Sequence, residues 1–372
     1  MRILINCSNL VVGGGIQVAT SVITELIKND KHFFSVVLSQ EVSKQIDTKL
    51  FPSNFKFYNL ETSPAGLLSR KSLCNKLDQI EEEQRIHFVL TIFGPSYWKP
   101  KNAKHLCGFA LPWMIYPHSV AFQKLNFNEK IKTKLRNWYK LYHFKKESDY
   151  FWCETEIVRE RMIKHLGLSN IYVIGNTVSH HFTEFENKSD LNLANDFFKI
   201  LTVSAYYTHK NLEIIKGIVP FISASKWKIK FYLTLPASTF SKLFNTSDEL
   251  KYVENLGVIS NKDCPKYYNS VNAVFAPTLL ECFSANYVEA MSTDNPIIAS
   301  DFDFSRSICE DAAVYFNAEE PKDAYEKILS IVNDRDKQQR MVIRGRELLR
   351  KQKSSEQRAN ELIHICEANY KN

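Results

Sequence analysis

The stretch Ala276-Pro277-Thr278-Leu279-Leu280-Glu281-Cys282-Phe283-Ser284-Ala285-Asn286-Tyr287-Val288-Glu289-Ala290-Met291 decides how this chain is read. It leaves an apolar run that reads as a strand, passes through a short loop, and should enter a helix near Ser284. Glu281 falls in the loop and Glu289, seven intervening residues later, in the early turns of the helix. A helix N-terminus offers N–H groups and a positive dipole end to a diphosphate, and a carboxylate beside it accepts hydrogen bonds from sugar hydroxyls. The same dipole is expected to keep Glu289 ionised. By itself this spacing more often marks two surface carboxylates.

On both sides of this stretch, short apolar runs alternate with helix-like ones. Residues 2–6, 34–38, 55–58, 88–92, 106–111, 150–153 and 171–174 read as strands, and after a polar interval the pattern restarts at 199–203, 229–233, 253–259, 273–276, 296–299 and 313–316. Such alternation predicts parallel sheets with crossover helices, an α/β chain of two Rossmann-like units in tandem. The length of 372 residues suits two domains, and 44% hydrophobic residues can fill their cores. The expected division is 1–180, a linker at 181–196, a second domain at 197–350, and a C-terminal helix at 351–372 that returns to the first. Apolar residues at helical spacing make the tail from Pro321 to Tyr370 helical.

Eight cysteines without a CxxC pair read as small buried residues of a reducing compartment. The N-terminal apolar run is too short for a signal peptide, and no apolar stretch approaches the roughly 18 residues of a membrane span. A cytoplasmic location is expected. Of only 11 glycines, three stand together as Gly13, Gly14 and Gly15, between the first strand and a helix marked by Ala19, Val22, Ile23 and Leu26. Glycines there let backbone approach a phosphate, although neither GxGxxG nor a P-loop ending is present; a tight turn without ligand is the alternative.

In this context the segment 277–300 resembles the Glu-x7-Glu region of retaining glycosyltransferases of the GT-B fold, glycosyltransferase family 4. The resemblance extends to the Gly-Gly loop, to Val173-Ile174-Gly175-Asn176-Thr177-Val178, and to Leu201-Thr202-Val203-Ser204 leading to His209-Lys210-Asn211. It implies two Rossmann-like domains facing across a cleft, the first for the acceptor and the second for a nucleoside diphosphate sugar. Glu281 is then expected to contact donor-sugar hydroxyls and Glu289 the ribose. The N–H groups of Ser284 and Ala285 would cradle the diphosphate, Lys210 would offset its charge, Ile259 would pack on the base, and Gly14 and Gly15 would close over the phosphate. No cofactor and no metal are implied.

Two departures stand out. The position of an arginine that often accompanies the lysine holds Ala205, for which His209, next to Lys210, or a basic residue from elsewhere in the chain is a candidate substitute. Where many members carry a histidine after the fifth strand, the chain reads Gly108-Phe109-Ala110-Leu111-Pro112-Trp113. Asp301-Phe302-Asp303 mimics a metal-binding DxD but lies in a region that this family fills with an ordinary loop, and His180-His181 reads as linker surface.

Residues 128–146 carry seven basic side chains and one acidic one, a net of 7 − 1 = +6 out of +7 for the whole chain. Ile131, Leu135, Trp138 and Tyr142 recur at helical spacing between them. This pattern suits an anionic membrane surface or a lipid-diphosphate acceptor; it also suits a packed helix with a solvated charged face. Nucleic acid is not an expected partner, for no recognition module is present. The expected function is transfer of a hexose from a nucleoside diphosphate sugar to a saccharide acceptor, free or lipid-linked, in surface polysaccharide biosynthesis, at the inner face of the cell membrane. A nucleotide-sugar epimerase or hydrolase on the same fold, or a non-catalytic binding subunit, are the alternatives.

Overall fold

The computed structural model describes residues 1–66, 68–183, 185, 191, 193 and 196–371. Most of the expected linker, 181–196, lies outside the described residues. The chain forms two compact units, one from Met1–Pro117, Leu125–Thr177 and Lys353–Asn372, the other from His118–Lys124 and Val178–Gln352.

In the first unit β1 (Arg2–Cys7), β2 (Phe33–Ser39), β3 (Phe55–Leu60), β4 (Phe88–Thr91), β5 (Lys104–Gly108), β6 (Tyr150–Cys153) and β7 (Ile171–Val173) form one parallel sheet in the order β3-β2-β1-β4-β5-β6-β7. Strands buried on both faces read as unbroken apolar runs, and side chains that alternate along them enter two different cores. Ile3 and Ile5 join the layer beneath helices Gly15–Glu25 and Ser355–Tyr370, whereas Leu4 joins the layer containing Leu73, Leu77 and Ile80 of helix Arg70–Glu83.

The second unit repeats the plan with β8 (Phe198–Thr202), β9 (Ile229–Leu233), β10 (Val253–Asn255), β11 (Ala273–Ala276), β12 (Ile297–Ser300) and β13 (Ala313–Phe316), all parallel, in the order β10-β9-β8-β11-β12-β13. Ile200 and Phe275 face a core with helices Ile214–Ser223 and Pro321–Val332; Leu201 and Val274 face one with Tyr287, Val288 and Met291 of helix Ala285–Ser292.

All thirteen expected strands are present, with two corrections at their ends. The strand expected over 253–259 stops at Asn255, because Gly257 adopts φ +78°, which breaks an extended path. The one expected over 106–111 runs instead from Lys104 to Gly108, and Pro112 starts a short helix. The tail is helical, as Pro321–Val332, Arg335–Lys351 and Ser355–Tyr370.

In each sheet the chain first adds strands on one side and then returns to the other, so strand order reverses between β1 and β4 and between β8 and β11. In open α/β sheets ligands bind beyond the carboxyl ends of the strands at such a point.

Candidate functional site

At the reversal in the second sheet, Thr202 and Ser204 lie at the end of β8 and Ala276, Pro277 and Thr278 at the end of β11. With Lys210, Leu212, Glu281, Ser284 and Asn286 they line a single crevice. Two backbone features bring its charges together. After β8 the chain makes a short helical turn, Thr208–Lys210, closed by Asn211 at φ +54°. Non-glycine residues rarely adopt this conformation; asparagine does so more readily than most. Here its buried side chain is bonded on both sides, donating to Ala318 O at 2.9 Å and accepting from Lys124 Nζ at 2.9 Å. The loop after β11 then clips onto that turn, the Leu279 N–H donating to His209 O at 2.7 Å.

The consequence is an ion pair between residues 71 positions apart: Lys210 Nζ donates to Glu281 Oε1. Both side chains are largely withdrawn from solvent, 23% and 12% exposed, so their attraction is screened less than that of a surface pair. Thr278 Oγ1 stands 3.2 Å from both Glu281 Oε1 and His209 O. The crevice has about 10 Å³ of room, the space of a single water. A larger hollow of about 380 Å³ lies at the other ends of β11 and β12, between Asn272, Pro296, Arg335 and Gln338. That one sits at the amino ends of the strands, away from the sheet reversal's carboxyl side, and its Asp294 is already engaged by Arg346.

Ser284 occupies the position before the helix Ala285–Ser292, with no side chain capping its first turn and no acidic residue within it. The helix therefore starts beside Glu281 with backbone donors and the positive end of its dipole. Ser284 lines the crevice; Ala285 follows it and is exposed. Asn286, which the sequence reading passed over, fixes this start by donating from Nδ2 to Val203 O at 2.8 Å.

Glu289 does not line the crevice. It lies one turn deeper, its Oε2 accepting from Tyr268 Oη at 2.9 Å. Burial raises its carboxyl to about 7, the Tyr268 hydrogen bond opposing that rise. The expectation of a carboxylate held ionised by the helix dipole is thus corrected: the dipole acts over the first turn, and desolvation outweighs it at the fifth residue. Ile259, in the loop after β10, packs against the apolar cluster that contains Tyr268, Tyr287 and Val288.

His209 is corrected as a substitute cation. Burial first, and then the charge of Lys210, push its imidazole down to about 4, so it is neutral at physiological pH. Lys124, bonded to the residue after Lys210, is the second cation brought near this turn, and no local pattern in the sequence links the two. Asp301 is engaged by Arg306, from Nε at 2.5 Å and Nη2 at 2.7 Å. Among the described residues no three His, Cys, Asp or Glu side chains gather as a metal site.

Gly14 and Gly15 belong to the first unit, at the reversal beside β1. Gly13 takes φ +82°, and a Cβ on Gly13 or Gly14 would meet only open space. Gly14 O accepts from the N–H groups of Gln17 at 3.0 Å and Val18 at 3.2 Å as the helix begins.

Residues 183–348 match the family described as "Glycosyl transferases group 1". The matched residues lie within the second unit. Solved structures similar over nearly the full chain include a glycosyltransferase from Rickettsia africae ESF-5, at 13% identity and TM-score 0.74 over 100% of this chain and 99% of that one. Anabaena HepE in complex with UDP-glucose aligns at 13% identity and TM-score 0.72 over 99% and 100%. WaaG, a glycosyltransferase involved in lipopolysaccharide biosynthesis, aligns at 10% identity and TM-score 0.73 over 97% and 99%. At such low identity the likeness establishes the fold, which is GT-B. No curated protein sequence gave a match. The Lys210–Glu281 pair, Ser284, Ile259 and Glu289 all lie within the matched residues.

Proposed function

We propose that this chain is a metal-independent, retaining glycosyltransferase of family 4, moving a hexose from a nucleoside diphosphate sugar to a saccharide acceptor, lipid-linked acceptors included, in surface polysaccharide biosynthesis at the inner face of the cell membrane. The observation that carries the reading is the meeting of Lys210 and Glu281 at the sheet reversal, next to an uncapped helix N-terminus, within the residues that match the group 1 family.

In this reading Lys210 and the N–H groups of Ser284 and Ala285 stabilise the charge that grows on the departing diphosphate. Glu281 accepts hydrogen bonds from the donor sugar, Glu289 from the ribose, and Ile259 packs on the base. The first unit holds the acceptor, and Gly14 and Gly15 approach the phosphate. The acceptor oxygen bonds to the anomeric carbon on the face from which the phosphate leaves; the carbon–oxygen bond to phosphate breaks, and the acceptor proton passes to the phosphate oxygen. The similar Anabaena HepE has been solved in complex with UDP and with UDP-glucose, so UDP-sugars are the first donors to test.

A thermal-shift screen of UDP- and GDP-sugars, followed by product masses on candidate acceptors, tests the reading. The expected result is donor-induced stabilisation, an acceptor-dependent product, and loss of that product in Glu281→Ala and Glu289→Ala with the fold intact. Full activity in either variant overturns the site assignment. Donor conversion without acceptor marks an epimerase or hydrolase, and no shift with any donor marks a non-catalytic subunit.

A further inference from the structure

The helix Phe127–Glu147, 21 residues long, is closed at its start by a capping box: Asn126 Oδ1 accepts from the Glu129 N–H at 2.9 Å, and Glu129 Oε2 from the Asn126 N–H at 3.0 Å. Only Thr133, Phe144 and Glu147 along it are buried. Its inner side makes both aromatic and polar contacts: Phe144 packs on Phe109 and Phe151, and Tyr139 on Tyr97. Asn137 Nδ2 donates to Trp113 O at 2.8 Å, His143 Nδ1 lies 2.5 Å from Glu147 Oε1, and Ser96 Oγ donates to Glu147 Oε2 at 3.1 Å.

A helix lying on its own domain turns its apolar stripe inward. This one does the reverse. Phe127, Ile131, Leu135, Trp138 and Tyr142 are 76%, 42%, 62%, 68% and 50% exposed. At 3.6 residues per turn they form one stripe, roughly 170° round the helix from the buried face. Lys132, Lys134, Arg136, Lys145 and Lys146 are exposed around it, and Lys146 Nζ lies 5.4 Å from the centre of the Tyr142 ring.

We propose that this helix lies flat on an anionic lipid leaflet. The five apolar side chains enter the boundary between headgroups and acyl chains, and the lysine stems follow them in while their ammonium groups stay with lipid phosphates. Charge selects this occupant over a second copy of the chain, since a symmetric pairing of two such helices, each with seven basic and two acidic side chains, would set a net +5 against +5. Among the described residues no helix is long and apolar enough to cross a membrane, so the contact is peripheral. The inference makes no use of Lys210 or Glu281, and it stands or falls independently of the transferase reading.

The test is sedimentation of the full chain with vesicles of phosphatidylcholine alone or mixed with phosphatidylglycerol. Binding is expected only with the anionic lipid, and it should weaken at least tenfold when salt shortens the screening length from roughly 10 Å to roughly 3 Å. The double substitution Leu135→Ser with Trp138→Ser should reduce binding at least tenfold while leaving circular dichroism and the thermal midpoint unchanged, because both side chains are mostly in solvent. No binding at low salt overturns the proposal, as does binding that the double variant retains. A dimer in lipid-free solution that the same substitutions dissociate also overturns it, in favour of a contact between copies.

Discussion

At the reversal beside β1 the chain presents backbone: three glycines, one at φ +82°, with open space where side chains would stand on Gly13 and Gly14. At the reversal between β8 and β11 it presents paired side chains, Lys210 on Glu281 and Thr278 beside them. Both positions follow from the same sheet plan and both precede a helix start. Topology therefore supplies two places where backbone N–H groups can meet an anion, while fixed charge is supplied at only one of them. The group 1 match falls on that one.

The contrast is broken most directly by Glu281→Gln, which keeps the side-chain shape and removes the charge. Transfer should fall about 10²–10³-fold in kcat, the size seen when one group facing a transition-state charge is lost; Gly14→Ala, whose Cβ at φ −61° meets no protein atom but would stand where the backbone approaches the phosphate, should fall less, by about tenfold. Steady-state kinetics with the donor found by thermal shift decides between them. Next in size, Lys210→Met should weaken UDP about ten- to hundredfold by calorimetry, the range of a charge-assisted hydrogen bond.

On the backbone side, Gly13→Ala should cost about 1–2 kcal/mol in urea unfolding, because a Cβ is disfavoured at positive φ. Gly14→Ala should be near neutral in the same measurement. A result in the opposite order would place the strain elsewhere in the turn.

The smallest effect is on pH. Since Glu289 ionises near 7 in the folded chain against an ordinary 4.5, the folded state keeps a proton that the unfolded state has lost. Its contribution to stability is present below 4.5 and is lost as pH rises to about 7. Donor affinity should move the other way, rising by up to about tenfold between pH 6 and 8 as the carboxylate forms and accepts from ribose hydroxyls. Glu289→Gln should flatten that profile. Tyr268→Phe, which removes the hydrogen bond that favours the charged form, should displace it to higher pH.

The sheet plan was legible because buried parallel strands are near-continuous apolar runs, as in Ile3, Leu4 and Ile5 of β1 or Val274 and Phe275 of β11. The start of the helix at Ala285 was legible from the loop-to-helix pattern around Ser284. Strand ends at Asn255 and Gly108 were not, because a positive-φ glycine and a chain turning at proline act over one or two residues. The ionisation of Glu289 was hidden for a different reason: it depends on Tyr268 and on burial, which no spacing within the segment encodes. The outward apolar stripe of Phe127–Glu147 lay open in the sequence, whereas the direction in which it faces is a property of packing alone.

The helix Ser355–Tyr370 bears on the order in which the molecule is made. Ala359, Leu362, Ile363 and Cys366 complete the core of the first unit, and buried Arg358 reaches Asn176 Oδ1 at 2.5 Å and Ser21 Oγ at 2.8 Å. During synthesis the second unit has all its strands once Phe316 has emerged and all its helices by Lys351, whereas the first, begun earlier, still lacks part of its interior. The unit translated first is thus the last to close, and until residues 355–370 arrive the part of its core that Ala359, Leu362, Ile363 and Cys366 cover stays open to water.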